Sequence, residues 1–261
     1  MRCMCTRFLF AAAWLLAGAS AASAQGAPGK SEGPLLAPAE ILLYAHKALQ
    51  NTDFIEPLTC ALKRVLVAPV DVQSLDLPLG LDLLATPSQF DVGKIADRFK
   101  RATATDGGSR TFKYFLLPYD MKDAQFHYVF ATSFGNAATP DHVGVVSTAR
   151  LEVTAVGGTR RQRAEITALR AYKLILKSVA RLAGYPDLQR CILAFPRNLD
   201  DLDRKASEFC APDRDALVAA GILKAQESAG CVYVSESEPL LRTGGSSERS
   251  VRRVLAAADG G

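Results

Sequence analysis

Between residues 160 and 184 apolar side chains recur at Ile166, Leu169, Tyr172, Leu176, Val179 and Ala183. Steps of three and four place them along one face of an amphipathic helix. Gly184 supplies the left-handed backbone that closes such a helix, and Pro186 bars its resumption. A second face carries Arg170, Lys173 or Leu174, Lys177 and Arg181, stacked along the axis. Taken alone, it reads as a solvated basic stripe. Elsewhere, residues 37–49 read as a helix opened by Pro38, residues 64–68 as a short strand bounded by Pro69, and residues 73–84 as loop. An amphipathic helix is expected at 89–102 through Val92, Ile95, Ala96 and Phe99, and a turn at 105–109. Strands are expected at 111–117, 126–132 and 143–147, with a loop at 135–142 before the last. A short helix at 212–220 capped by Gly221 and a final strand at 231–234 complete the pattern. The alternation of strands and helices predicts an α/β domain.

Several strings flank the long helix: FLLPYD at 115–120, FHYVF at 126–130, VGVVSTARL at 143–151, CIL at 191–193, DRK at 203–205 and EFC at 208–210. In order and spacing they resemble the archaemetzincins, a family of zinc metallopeptidases, over residues 62–215. That family has an edge-like NFVFG strand, a VVSLARL-type strand, a zinc helix HExxHxxGxxH, and then CxM, DRK and FCxxC. The resemblance implies a metzincin-like twisted, mixed sheet of four to five strands with the long helix at the former active site.

With Gly184 at the family's glycine, Lys177 falls at the first zinc histidine, Ser178 at the general-base glutamate, Arg181 at the second histidine and Asp187 at the third. Two histidines at i and i+4 share a helix face and offer neutral nitrogens to one tetrahedral zinc, whose bound water the glutamate deprotonates. An ammonium and a guanidinium have no lone pair to give. At about 5 Å and an effective dielectric near 20, each also repels a cation by on the order of 3 kcal/mol per charge product. His46, His127 and His142 show no ligand spacing among themselves. No metal or cofactor is therefore expected. Because the family's chain turns back after the glycine, Asp187 is expected to approach Lys177 and Arg181. Of the family's four structural thiolates, Cys191 and Cys210 are kept, while Leu188 and Asp213 stand at the other two places. The resemblance brings Cys191 and Cys210 to one metal, so a disulfide between them is expected, leaving Cys60 and Cys231 as a second pair.

Residues 1–24 carry Arg2 and Arg7, an apolar run over 8–17 and Ala22-Ser23-Ala24 before Gln25. This is the pattern of a secretory signal with a small-residue cleavage site, too short in its apolar run to span a membrane. Export to the periplasm or outside the cell is expected, and Cys3 and Cys5 leave with the signal. Four cysteines in an oxidising compartment then suit disulfides. Removing 24 residues, two of them arginine, from 261 leaves 237 with 29 basic and 27 acidic side chains. Such a balance makes no case for nucleic acid. Residues 25–35 read as a flexible segment, 36–234 as the domain and 235–261 as a disordered tail, with a marginal helix at 248–258. The expected function is an exported pseudo-peptidase that binds an unidentified protein or peptide or plays a structural part. The alternative is a hydrolase or metallopeptidase acting through non-family residues, for instance Asp120 or Asp123 near the sheet end.

Overall fold

The computed structural model describes residues 33–49, 52–152 and 158–228. The chain runs through strand β1 (Glu40–His46), helix α1 (Ile55–Val65) and strand β2 (Val70–Leu75). Short strands β3 (Leu84–Thr86) and β4 (Gln89–Asp91) lead into α2 (Val92–Ala102). There follow β5 (Thr111–Leu117), β6 (Met121–Lys122), β7 (Ala131–Phe134) and β8 (His142–Ser147). The long helix α3 (Arg160–Leu182) and two short ones, α4 (Leu199–Arg204) and α5 (Ala211–Ala219), close the described chain. The main sheet has the order β2-β1-β5-β8-β7, parallel throughout except for β7, which runs antiparallel to β8 at one edge. β3, β4 and β6 form a small second sheet.

The helix expected at 37–49 is instead the strand β1. Ile41 and Leu43 belong to the core that holds α1 and α3, whereas Leu42 and Tyr44 belong to the core that holds α2. A strand buried on both faces reads as an unbroken apolar run, which periodicity cannot separate from a helix. The strand expected at 64–68 is likewise displaced. Arg64 and Val65 end α1, whose Leu58, Ala61 and Leu62 are spaced to face the core and whose Pro57 sits harmlessly in the first turn. The loop expected at 73–84 begins as β2 and contains a 3₁₀ turn at Leu81–Leu83. The strand expected at 126–132 starts only at Ala131. Before it, the Asp123 carboxylate accepts hydrogen bonds from the Gln125 and Phe126 amides and turns the chain.

α3 begins with a reciprocal cap between Thr159 and Gln162. Val179 and Ala183 are fully buried, as the apolar spacing requires. Gly184 adopts φ +89° and ends the helix. Where α3 crosses β8 stands Gly144; a Cβ there would lie 2.3 Å from Tyr114 Cδ1 and 3.4 Å from Ser178 Oγ. The missing side chain lets the helix settle on the sheet. The residues expected at 231–234 and 248–258 lie outside the described ones.

Candidate functional site

The first half of the basic stripe on α3 is buried. Arg170 donates from Nε and Nη2 to the Asp203 carboxylate, each at 2.6 Å, and from Nη1 to the Leu151 carbonyl at 2.7 Å. One turn later Lys173 Nζ donates to the carbonyls of Leu202, Asp203 and Lys205. These are carbonyls at the C-terminal end of α4, which lack partners within the helix and favour a cation. The two basic residues thus clamp α4 onto α3, and the solvated stripe expected from spacing is corrected for both.

The second half is less covered, with Lys177 13 % exposed and Arg181 open to solvent. Lys177 Nζ lies 3.2 Å from Asp187 Oδ1 and 5.4 Å from the centre of the Phe195 ring. Phe195 stacks on Phe126 at 5.4 Å, and both rings are exposed. Asp187 reaches Lys177 because the chain turns back after Gly184. Arg181 is exposed and stands outside that ion pair. Ser178 is buried against the sheet, where its hydroxyl and that of Ser133 on β7 share a 2.6 Å hydrogen bond. Among the described residues no strand pairs with the outer side of β7. Since Asp187 is 52 % exposed, Asp187→Ala should lower unfolding stability in urea by under about 1 kcal/mol. A larger loss would place the pair in a desolvated site.

Sequence reasoning assigned Lys205 no role beyond its place in the DRK string. The residue is only 7 % exposed, and its Nζ is enclosed without a hydrogen-bond partner among the described residues. Burial pushes its ammonium down to about 7, the charges of Lys177 and Lys173 push the same way, and Asp187 opposes them. Nothing in the local sequence marks it, because only the docking of α4 against α3 brings the three lysines together.

The other candidates are engaged elsewhere. Arg150 donates to Asp120 from Nε at 2.8 Å and Nη2 at 2.7 Å, and Gln89 adds a third bond at 3.0 Å. Burial raises the Asp120 carboxyl, but these hydrogen bonds outweigh it and hold the group below the usual carboxylate range. Asp123 caps its turn. His46 Nδ1 accepts from the Ala48 amide and His142 stacks on Phe112, whereas His127 is exposed in the loop before β7.

Cys191 and Cys210 form a disulfide with Cα atoms 5.6 Å apart. Beside it the fully buried Asp213 accepts hydrogen bonds from Tyr185 Oη at 2.8 Å, from Arg190 Nε at 2.9 Å and from Arg190 Nη2. Leu188 packs against the core. Cys60 is disulfide-bonded, but its expected partner Cys231 lies outside the described residues.

The architecture is the archaemetzincin-like α/β fold. The chain is similar to an archaemetzincin from Archaeoglobus fulgidus solved with malonate, at 18 % identity and a TM-score of 0.52, over 68 % of this chain and 99 % of that one. It is also similar to archaemetzincin from Methanopyrus kandleri, at 16 % identity and a TM-score of 0.54, over 70 % and 95 %. A zinc-dependent peptidase from Methanocorpusculum labreanum matches at 21 % identity and a TM-score of 0.52, over 68 % and 99 %. No family model matches the sequence, and no curated protein does. Among the described residues no three histidine, cysteine, aspartate or glutamate side chains converge as a metal site would need. Of Lys177, Ser178, Arg181 and Asp187, the two basic side chains have no lone pair to give and Ser178 is tied to Ser133, so Asp187 is the one carboxylate there and the set does not fit zinc. Among the described residues no helix is long and apolar enough to cross a membrane.

Proposed function

We propose that this chain is an exported archaemetzincin-like pseudo-peptidase, zinc-free and proteolytically inactive, which binds a protein or peptide ligand at the face where that family holds its metal. The observation that carries the reading is the Lys177–Asp187 ion pair. It stands where the resemblance puts the first and third zinc histidines, and it sets an ammonium with no lone pair where a metal needs an electron-pair donor. Ser178, at the position of the general base, is tied to Ser133 and has no carboxylate to take a proton from water. The outer edge of β7, which no described strand pairs, offers backbone groups to an extended peptide, and the exposed Phe126–Phe195 stack supplies apolar contact next to Lys177. Export is supported by the signal-like residues 1–24 and by the Cys191–Cys210 disulfide. The boundaries proposed are signal 1–24, flexible segment 25–35, domain 36–234 and tail 235–261.

Native mass spectrometry of the protein recovered from its own cell envelope tests both halves. The expected species begins at Gln25 and carries far less than one zinc per chain. A full zinc equivalent that persists through dialysis, or cleavage of a casein or peptide substrate that a chelator abolishes, overturns the reading.

A further inference from the structure

We infer that Lys205 and Lys177 form a receptor for a small oxyanion, the carboxylate or phosphate of the bound ligand; this rests on the binding role proposed above and names what is bound. Lys173 Nζ donates to the Lys205 carbonyl, and Lys177, Lys173 and Asp187 all lie near enough for their charges to act on the Lys205 ammonium. Lys173 is satisfied by three carbonyls and Lys177 by Asp187, but Lys205 has no partner among the described residues. Asp203, the other carboxylate at hand, is gripped by Arg170. Asp187 is the carboxylate that opposes the two lysine neighbours at Lys205, so the group that would complete the cluster is an anion.

An enclosed polar group without a partner works against folding. Retention of such a group is the mark of a site where stability has been given up for a ligand. The ligand must be an anion, because ammonium groups offer a metal nothing and attract carboxylate or phosphate oxygens. It must be small at its leading end, because Nζ is sealed from solvent. Entry runs past Asp187, a half-exposed residue whose carboxylate rests on Lys177. The incoming oxyanion takes that carboxylate's place on Lys177, where its charge also acts on Lys205. Lys205 is largely neutral above neutral pH, for burial and its two lysine neighbours hold its proton loosely while Asp187 alone opposes them. An oxyanion beside it restores the proton, so binding at pH 8 draws one from solution.

Calorimetric titration of the mature protein with succinate and with inorganic phosphate, at ionic strength matched with sodium chloride, tests this. At least one of the two should bind saturably, and the tighter of them identifies the group recognised. Lys205→Met should weaken that binding at least tenfold while remaining folded by circular dichroism. Asp187→Asn should strengthen it several-fold, because the resident competitor is gone. Titrations at pH 8 in two buffers of different ionisation heat should show uptake approaching one proton in the natural protein and none in Lys205→Met. No saturable binding of either anion, unchanged affinity in Lys205→Met, or binding without proton uptake overturns the inference. Zinc content and peptide cleavage are read on the same sample. A zinc-free, inactive protein that ignores both anions refutes this inference alone, whereas a zinc-loaded peptidase refutes the function on which it rests.

Discussion

Lys205→Met should make the protein more stable, by roughly 4 kcal/mol near pH 6, with the gain fading by about pH 10. In the unfolded chain a lysine titrates near 10.4, whereas in the folded protein burial and the neighbouring Lys177 and Lys173 bring Lys205 down to about 7. Between those values the unfolded chain holds a proton that the folded one has released, so the natural protein gains stability as pH rises through that window. Below about pH 7 both states are charged, and folding bears the full cost of enclosing an unpartnered ammonium. Above about 10.4 both are neutral and that cost is gone. About 1.4 kcal/mol per pH unit over the window sets the size of the effect. Methionine fills similar space without the charge, so the difference between the two proteins should be largest at pH 6 and shrink steadily toward pH 10 in urea titrations. An equal difference at pH 6 and pH 10, or a destabilised variant at pH 6, would show that Lys205 is neither enclosed nor perturbed. The more stable variant is also the one that no longer binds the anion, which is the usual trade at a functional position.

Two residues earlier the same string should respond in the opposite sense. Asp203→Ala is expected to lose about 3 kcal/mol of stability, because it leaves the buried Arg170 guanidinium with only the Leu151 carbonyl. The figure sits at the lower end of the range for a broken buried pair because Asp203 itself is about a quarter exposed. Replacing both partners together, as Arg170→Met with Asp203→Leu, should recover most of the loss, since apolar substitutes need no charge balance. Chemical unfolding of the two single variants and the double variant measures the coupling. A loss under about 1 kcal/mol for Asp203→Ala would mean that water reaches the pair and that α4 is held by other contacts. DRK thus joins a residue that clamps the fold to one that strains it.

Local patterns revealed those elements whose periodicity is set by a single buried face. The 3.6-residue spacing through Val179 and Ala183, closed by Gly184, marked α3, and Val92, Ile95, Ala96 and Phe99 marked α2. β5 and β8 stood out as short β-branched and aromatic runs between turn residues. β1 did not, because burial on both faces removes the alternation by which a strand is recognised. The disulfide was legible only through a resemblance, since nothing local joins Cys191 to Cys210 across the intervening helix α4.

The sequence by itself determined that Arg170, Lys173, Lys177 and Arg181 would lie along one side of a helix, because that follows from the rise and turn of the backbone. Which of them would meet water was decided by tertiary structure alone. A stripe of like charges spaced three and four apart looks the same whether it faces solvent or another helix. Here α4 covers Arg170 and Lys173, supplies its own carbonyls and Asp203 to neutralise them, and leaves Lys177 to Asp187 and Arg181 to solvent. The same docking encloses Lys205, a residue 28 positions from Lys177 in the chain. Its altered proton affinity comes from through-space charge and lost hydration, which do not follow sequence order.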